Sequence, residues 1–410
     1  MPDAAAQGTR TSGSIQLRLA ALLLGQYLLW GIWFVSLGSW LGATLHFDGG
    51  QIGMIYGTFA IAGMLSPMLG GAAADRLAHT ERILGLLHGI GGVLLLVAST
   101  QRSFSGLYAL VLLYALCYLP TLALVPSLAM RHLAAPAREY PKLRAIGTVG
   151  WIVGGLIVGA FALELTAVPM RIAGVMSLLF AGYCLTLPAT PPVRDGVKRG
   201  IGTLLGFDAL GLMRDPLFAS FLLVNVALCV PNQFYNAFGS LYLIDLSAPR
   251  PASLLTIGQA TEVVVLLLLP RLHQHLGLRP VLLLGSAAWA VRCVLFSLAT
   301  SAGIALYAGL LLHGLAYGCT FIAGQLVVHE RAPAHMRAAA QGFWAVATMG
   351  IGNYAGVWLA GASVQRFTTD NAVHRWSAIW LVPAAVSVIA LVAVLLTVRV
   401  RDVPPGHARA

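Results

Sequence analysis

Charge is what this sequence has least of. Only 10% of its 410 residues are charged, and just 14 are acidic. An ordinary soluble chain carries about 25% charged residues, so a water-facing globular protein is excluded. Cysteine is scarce too. The five present (Cys117, Cys184, Cys229, Cys293 and Cys319) all fall in apolar runs and form no CxxC pair, which removes a disulfide framework and a thiolate metal site. No HExxH, no GxSxG and no clustered acid–base pair occurs, so intramembrane hydrolysis has no visible carrier and an enzyme is not expected. No cofactor or metal is called for. The expectation is also that no soluble output domain is appended, which argues against a sensor.

What fills the chain is apolar: 58% of residues are hydrophobic and mean hydropathy is +0.82. Runs of about 20 apolar residues recur, each long enough to cross a hydrocarbon core of roughly 30 Å. In lipid the backbone must satisfy its own hydrogen bonds, and barrel strands would be short and alternating, so these runs read as helices. Twelve spans are expected, near 16–42, 51–73, 83–100, 106–130, 145–164, 169–188, 215–243, 252–270, 280–299, 303–328, 337–363 and 376–398. The first is too long and too tryptophan-rich for a signal peptide and is expected to be retained.

Charge orients the bundle. With the N-terminus inside, Arg102, Arg171, Arg250, Arg366 and Arg375 fall outside, Arg292 lies within a span, and the remaining Lys and Arg fall inside. This bias puts both termini in the cytoplasm of a multi-pass inner-membrane protein. The net charge of +11 then reflects attraction to anionic lipid, and no nucleic-acid partner is needed to explain it.

The longest polar break, PATPPVRDGVKRGIGTLLGFDALGLMRDP at 188–216, separates six spans from six. It divides the chain into bundles 1–188 and 215–410 and a cytoplasmic linker 189–214, in which Leu204, Leu205, Phe207, Leu210 and Leu212 mark a short amphipathic helix. Two pseudo-symmetric bundles with a path between them are transporter architecture, and one chain suffices to form that path, so a monomer is expected. After span 2, GGAAADRLAHTER (70–82) carries Gly71, Asp75 and Arg76. Their G-xxx-D-R spacing resembles the cytoplasmic loop signature of the major facilitator superfamily and implies an inner-gate latch, although Ala78 replaces a usual glycine. The strings GIGG (89–92) and GIGNYAG (350–356) lie within spans and read as helix-packing surfaces.

A central Asp or Arg in a membrane helix costs about 2.5–3.5 kcal/mol, so polar residues there need a cavity or a partner. Several share helix faces: Gln26, Trp30 and Trp33; Arg144, Thr148 and Trp151; Gln259 and Glu262; His313, Tyr317 and Phe321. Asn232, Gln233, Tyr235 and Asn236 follow Pro231, which removes one backbone donor. Amides, aromatics, a carboxylate and a guanidinium suit a small polar molecule with a planar part. The bland readings are equally concrete. Glu262 is paired with Arg292, Arg144 anchors the inner surface, Gln233 and Asn236 glue helices together, His313 is packed and neutral, and Glu164 snorkels to water.

At YLLWGIWFVSLGSWL (27–41), FDGGQIGMIYG (47–57), YLPTLALVPS (118–127), LRAIGTVGW (143–151), TLLGFDAL (203–210), NAFGSLYL (236–243), GQATE (258–262), AYGCTF (316–321) and RAAAQGFW (337–344), the chain resembles the nucleoside:proton symporter family, the bacterial nucleoside permeases of the major facilitator superfamily. The resemblance implies twelve helices in two six-helix bundles and proton-coupled nucleoside uptake by alternating access. It places nucleoside contacts on Arg144, Thr148, Gln233, Asn236, Gln259, Glu262, Tyr317 and Phe321, with Trp151 where the permeases carry phenylalanine. Those permeases also carry an intramembrane aspartate just after YGCTF, and here that position is Ile322. Proton coupling then falls to Glu262, with His313 on the Tyr317 face as a second candidate, or it is absent. In that last case the chain is an uncoupled facilitator or an exporter of a sugar or modified nucleoside. Glu262 fits the coupling role because a protonated carboxyl donates a hydrogen bond, whereas an ionised one accepts from a ribose hydroxyl.

Overall fold

A computed structural model describes residues 11–76, 78–192, 207–333 and 336–397, and every element among them is a helix apart from an isolated bridge between Thr368 and His374. Twelve rods result. In the first half these are α1 (Gly13–Ser39, extended by a π-helical turn, Trp40–Thr44), α2 (Gly49–Arg76), α3 (Thr80–Ala98), α4 (Phe104–His132), α5 (Pro136–Ala160) and α6 (Val168–Cys184). In the second half α7 (Pro216–Asp245), α8 (Pro251–Leu276) and α9 (Leu278–Leu298) are followed by two interrupted rods. Rod α10 is Ile304–Tyr317, a π-helical Gly318–Ile322 and Ala323–Arg331; α11 is Arg337–Ala345, a π-helical Val346–Gly352 and Asn353–Arg366. The last, α12, is Trp376–Thr397. Nine helices among the described residues are long and apolar enough to cross a membrane. These rods occupy the twelve spans expected from hydropathy.

Local chemistry starts and stops them. Asp48 and Gln51 form a reciprocal cap at the head of α2: Gln51 N donates to Asp48 Oδ1 at 2.8 Å, and Asp48 N donates to Gln51 Oε1 at 3.2 Å. Asp215 caps α7 by accepting from Leu217 N at 3.0 Å. Proline opens α5, α6, α7 and α8 in the first turn, where its missing N–H costs nothing. Gly277, with φ of 78°, ends α8 in the left-handed region that glycine adopts freely.

Within the first six rods α1 packs on α5, α2 on α4, and α3 on α4 and α6; within the second six α9 packs on α10 and α12, and α7 on α11 and α12. Across the halves α2 meets α11, α5 meets α8, and α1 meets α7. Call the end where α1 and α7 begin the base, and the end where they finish the crown. The cross-half seam is tightest at the crown. There Ser39 Oγ donates to Ser240 Oγ at 2.6 Å, and a Cβ added to Gly38 would collide with the Ala237 carbonyl oxygen. A Cβ added to Gly159 would likewise stand 2.7 Å from the Ser253 backbone nitrogen. Only glycine permits such approaches.

One residue at this seam departs from its sequence reading. Glu164, in the turn after α5, does not snorkel; it is 4% exposed. Its Oε1 accepts from Ala252 N, in the first turn of α8, at 3.1 Å. The residue preceding α8, Arg250, offers that helix no side-chain cap, so the other half of the molecule supplies one.

In the linker, Leu204 and Leu205 lie outside the described residues, and the segment leading into α7 is a 3-10 helix, Phe207–Arg214. Ala209 in it is buried, with Leu212 and Met213 packed on the core of the second half. Likewise α2 runs through Gly71, Asp75 and Arg76, but the side chains of this latch signature are outside the described residues.

Candidate functional site

On the base side of the crown seam lies a cavity of about 250 Å³ between the halves. From the first half α5 contributes Arg144 and Thr148. The second half contributes Cys229 and Asn232 from α7, Glu262 and Leu266 from α8, Tyr317, Phe321, Ile322 and Gln325 from α10, and Trp344, Thr348, Met349 and Asn353 from α11.

Rod α5 begins at Pro136, well before the expected boundary at 145, so Arg144 stands inside a helix rather than at its mouth. Its guanidinium lies 4.4 Å over the Tyr27 ring of α1, and Nη1 donates to Thr148 Oγ1, one turn on, at 3.4 Å. Stacking and hydrogen bonding hold the cation at the wall without neutralising it.

Glu262 faces it from the other half. Gly314 of α10 lets the two helices touch, since a Cβ there would strike the Thr261 and Glu262 backbone. Thr261 then ties the helices: its Oγ1 accepts from Gly314 N at 3.0 Å and donates to Gly258 O at 2.8 Å. Glu262 is thereby fixed beside the α10 face, half-buried, and accepts no side-chain hydrogen bond from any described residue. Arg144 and Glu262 form no ion pair among the described residues. A cation and a carboxylate, one from each half, are both left with bonding capacity for a guest.

The aromatic wall is a run along α10. The rings of His313 and Tyr317 stack at 5.8 Å, and Tyr317 and Phe321 lie 5.1 Å apart. The π-helical turn Gly318–Ile322 widens the helix at this point, which brings Tyr317, Phe321, Ile322 and Gln325 to one cavity. Such turns recur where a helix must re-aim side chains at a functional surface. The second one, Val346–Gly352, does the same for Thr348, Met349 and Asn353 on α11.

Of the residues singled out from the sequence, Arg144, Thr148, Glu262, Tyr317 and Phe321 meet at this cavity. Four others occupy the layer towards the crown. Trp151 packs edge-on against Trp30 at 5.0 Å; Gln233 is buried against Gly356 of α11; Asn236 and Gln259 are half-buried one turn crownward of Asn232 and Glu262. His313 is 4% exposed and set back behind Tyr317, its ring tilted against that of Tyr235 at 5.0 Å.

Arg292 does not pair with Glu262. It is 1% exposed in an aromatic cage, 4.0 Å over Tyr235 and 5.1 Å from Phe296, with Nε donating to Gly309 O at 2.9 Å. Gln26 is helix glue: its Nε2 donates to Thr121 Oγ1 at 2.6 Å and its Oε1 meets His88 Nε2 at 3.0 Å, all inside the first bundle. No cluster of three or more His, Cys, Asp or Glu suited to a metal occurs among the described residues.

The sequence pattern passes over Cys229, Gln325, Trp344, Thr348 and Asn353 and marks Asn232 only as a neighbour of Pro231. For α11 the missing signal is the π turn, which breaks the 3.6-residue period that marks a helix face.

Comparison with known proteins agrees with this geometry. The family model described as nucleoside H+ symporter matches residues 13–403. The putative nucleoside transporter YegT of Escherichia coli (strain K12) is 33% identical over 401 residues, covering 94% of this chain and 93% of the relative. Xanthosine permease of the same organism is 33% identical over 389 residues, 90% and 92% of the two chains. A crystal structure of the nucleoside transporter NupG, 26% identical, superposes with a TM-score of 0.89 over 94% of this chain and all of that one. Twelve membrane helices in the major facilitator fold, a cavity between their halves and a family match over nearly the whole length converge: this chain belongs to the nucleoside H+ symporter family, and it is a membrane transporter rather than an enzyme.

Proposed function

We propose that this protein takes nucleosides across the inner membrane together with protons by alternating access, both termini lying in the cytoplasm, and that the conformation with its crown closed is the inward-open state. The observation that carries the reading is the cavity itself, with Arg144 from one half and Glu262 from the other facing it unpaired. A ribose presents hydroxyls that donate to a carboxylate and accept from a guanidinium, while Tyr317 and Phe321 offer ring faces to a base. The relatives' substrates, nucleosides and xanthosine, have these parts.

In this scheme the bundles 1–188 and 215–410 rock about the site, the linker 189–214 permitting the motion, and a single chain acts alone. Substrate enters the Arg144, Thr148, Glu262, Tyr317 and Phe321 layer. The base is latched by Gly71, Asp75 and Arg76 while substrate enters from the crown; closure of the crown then brings the layer of Trp151, Gln233, Asn236 and Gln259 against it, and opening of the base releases it. Glu262 is the proton carrier and His313 acts through the Tyr317 ring on which it stacks. A neutral nucleoside moving with one proton gains about 2.3 kcal/mol per 100 mV of membrane potential.

A second reading, an uncoupled facilitator or an exporter of another small polar metabolite, is favoured by one observation: Ile322 lines the cavity and offers it no carboxyl. Uptake of labelled uridine and adenosine into proteoliposomes separates the two. Accumulation above equilibrium that requires an inward proton gradient supports symport; flux that only equilibrates supports the facilitator; no flux of either compound overturns uptake of these nucleosides and leaves transport of another small polar metabolite as the reading.

A further inference from the structure

Two cavity amides are left unexplained. Asn232 on α7 is 8% exposed and Asn353 on α11 is half-buried, and both line the cavity. Neither side-chain amide is hydrogen-bonded to a described residue, whereas the neighbouring hydroxyls are: Thr348 Oγ1 donates to Trp344 O at 2.8 Å, and Thr320 Oγ1 to Ala316 O at 2.6 Å. Both amides open onto the cavity and keep their bonding capacity for a guest.

Packing makes them neighbours. Rods α7 and α11 approach where a Cβ on Gly352 would lie 2.8 Å from Cys229 Sγ, and one on Gly356 would lie 3.0 Å from Cys229 O. Asn353 directly succeeds the first of those glycines, and Asn232 stands one turn after Cys229, so both flank the same crossing on its cavity side. The π turn Val346–Gly352 completes the arrangement. On an unbroken α-helix Thr348 and Asn353 would point about 140° apart; the wider turn brings both to the cavity.

We propose that Asn232 and Asn353 read the hydrogen-bonding edge of the nucleobase, while Arg144 and Glu262 hold the ribose. An amide presents a donor and an acceptor side by side, the pattern of a base edge, and asparagine pairs with bases in this bidentate way. The charged pair stands on α5 and α8 and the amides stand on α7 and α11, so one cavity carries two chemically distinct walls. Trp344 and Phe321 supply flat surfaces beside the amides. This assignment rests on the nucleoside reading and adds the orientation of the substrate and the residues that select its base.

The test is equilibrium binding to the purified full-length protein of uridine, 3-methyluridine and 3′-deoxyuridine, with inosine and 1-methylinosine as the purine pair. Methylation blocks the base-edge N–H; removing the 3′-hydroxyl leaves the base intact. In the unsubstituted protein each methylated base is expected to bind about tenfold more weakly than its parent, the loss of one buried hydrogen bond. In Asn353→Ala and Asn232→Ala that ratio collapses towards one, while the penalty for 3′-deoxyuridine is unchanged. Asn353→Ser, the milder substitution, is expected to shrink the ratio in the same direction, should the alanine variant fail to fold. Folded variants that keep the full methyl penalty, or that lose ribose discrimination instead, would overturn the assignment. Failure of the unsubstituted protein to bind uridine or inosine would overturn the nucleoside reading beneath it, a distinct result.

Discussion

Glu164 offers the sharpest test of how the crown is held shut. Rod α8 begins after Arg250, which has a left-handed backbone and provides no cap. Pro251 has no N–H, so Ala252 presents the first free donor, and it is satisfied by Glu164 Oε1 from the other half at 3.1 Å. Opening the crown must break this bond, and water then replaces the carboxylate. With Glu164→Ala the closed state leaves that donor unmet, whereas the open state loses nothing. A lost helix cap costs about 0.5–2 kcal/mol, and an unsatisfied buried N–H about 1–3 kcal/mol. A shift of one or two kcal/mol moves the closed-to-open ratio by about 5- to 30-fold. Glu164→Gln keeps the acceptor and loses only the charge at the helix N-terminus, worth about 0.3–1 kcal/mol, so its shift is smaller. The reporter is Ser240→Cys, since Ser240 is 1% exposed under the seam; Cys117, the half-buried native cysteine, is replaced. The rate of maleimide modification should rise about 5- to 30-fold in Glu164→Ala and by less in Glu164→Gln. A folded Glu164→Ala protein with an unchanged rate would refute the reasoning, and equal acceleration in both variants would assign the effect to charge rather than to capping.

The same geometry sets other outcomes. Glu262→Gln should bind uridine within about tenfold of the unsubstituted protein, because the amide still accepts, but lose gradient-driven accumulation in proteoliposomes; full accumulation would remove Glu262 from coupling. Gly38→Ala drives a methyl group into the Ala237 carbonyl, so the crown should no longer close. Uptake is expected to fall severely while Ser240→Cys in that background becomes readily modified; normal uptake would contradict the seam. Ile322→Asp places a carboxyl in the cavity wall, and the pH dependence of uptake should steepen; an unaltered profile would show that this position does not contribute to coupling.

Much of this protein was legible in its sequence because lipid enforces simple rules. A backbone with no water must form helices, so the apolar runs alone marked out twelve rods. Polar residues inside such rods are costly enough to stand out. Arg144, Thr148, Glu262, Tyr317 and Phe321 were visible for that reason, and their helical spacing placed them on shared faces. The family was legible too, from motifs spread along the chain.

Tertiary structure decided what periodicity cannot carry. Whether a buried charge faces a cavity or a cage depends on which helix lies opposite: Glu262 and Arg292 look alike in sequence, yet one faces a cavity and the other is enclosed by Tyr235 and Phe296. Glu164 reads as a surface carboxylate until the other half of the molecule arrives to need it as a cap. Asn353 joins the cavity only because a π turn shifts its helix by one position. Composition sets the solvent, and the solvent sets the secondary structure. Partners come from distant segments meeting at van der Waals range, and no local pattern along a chain encodes that meeting.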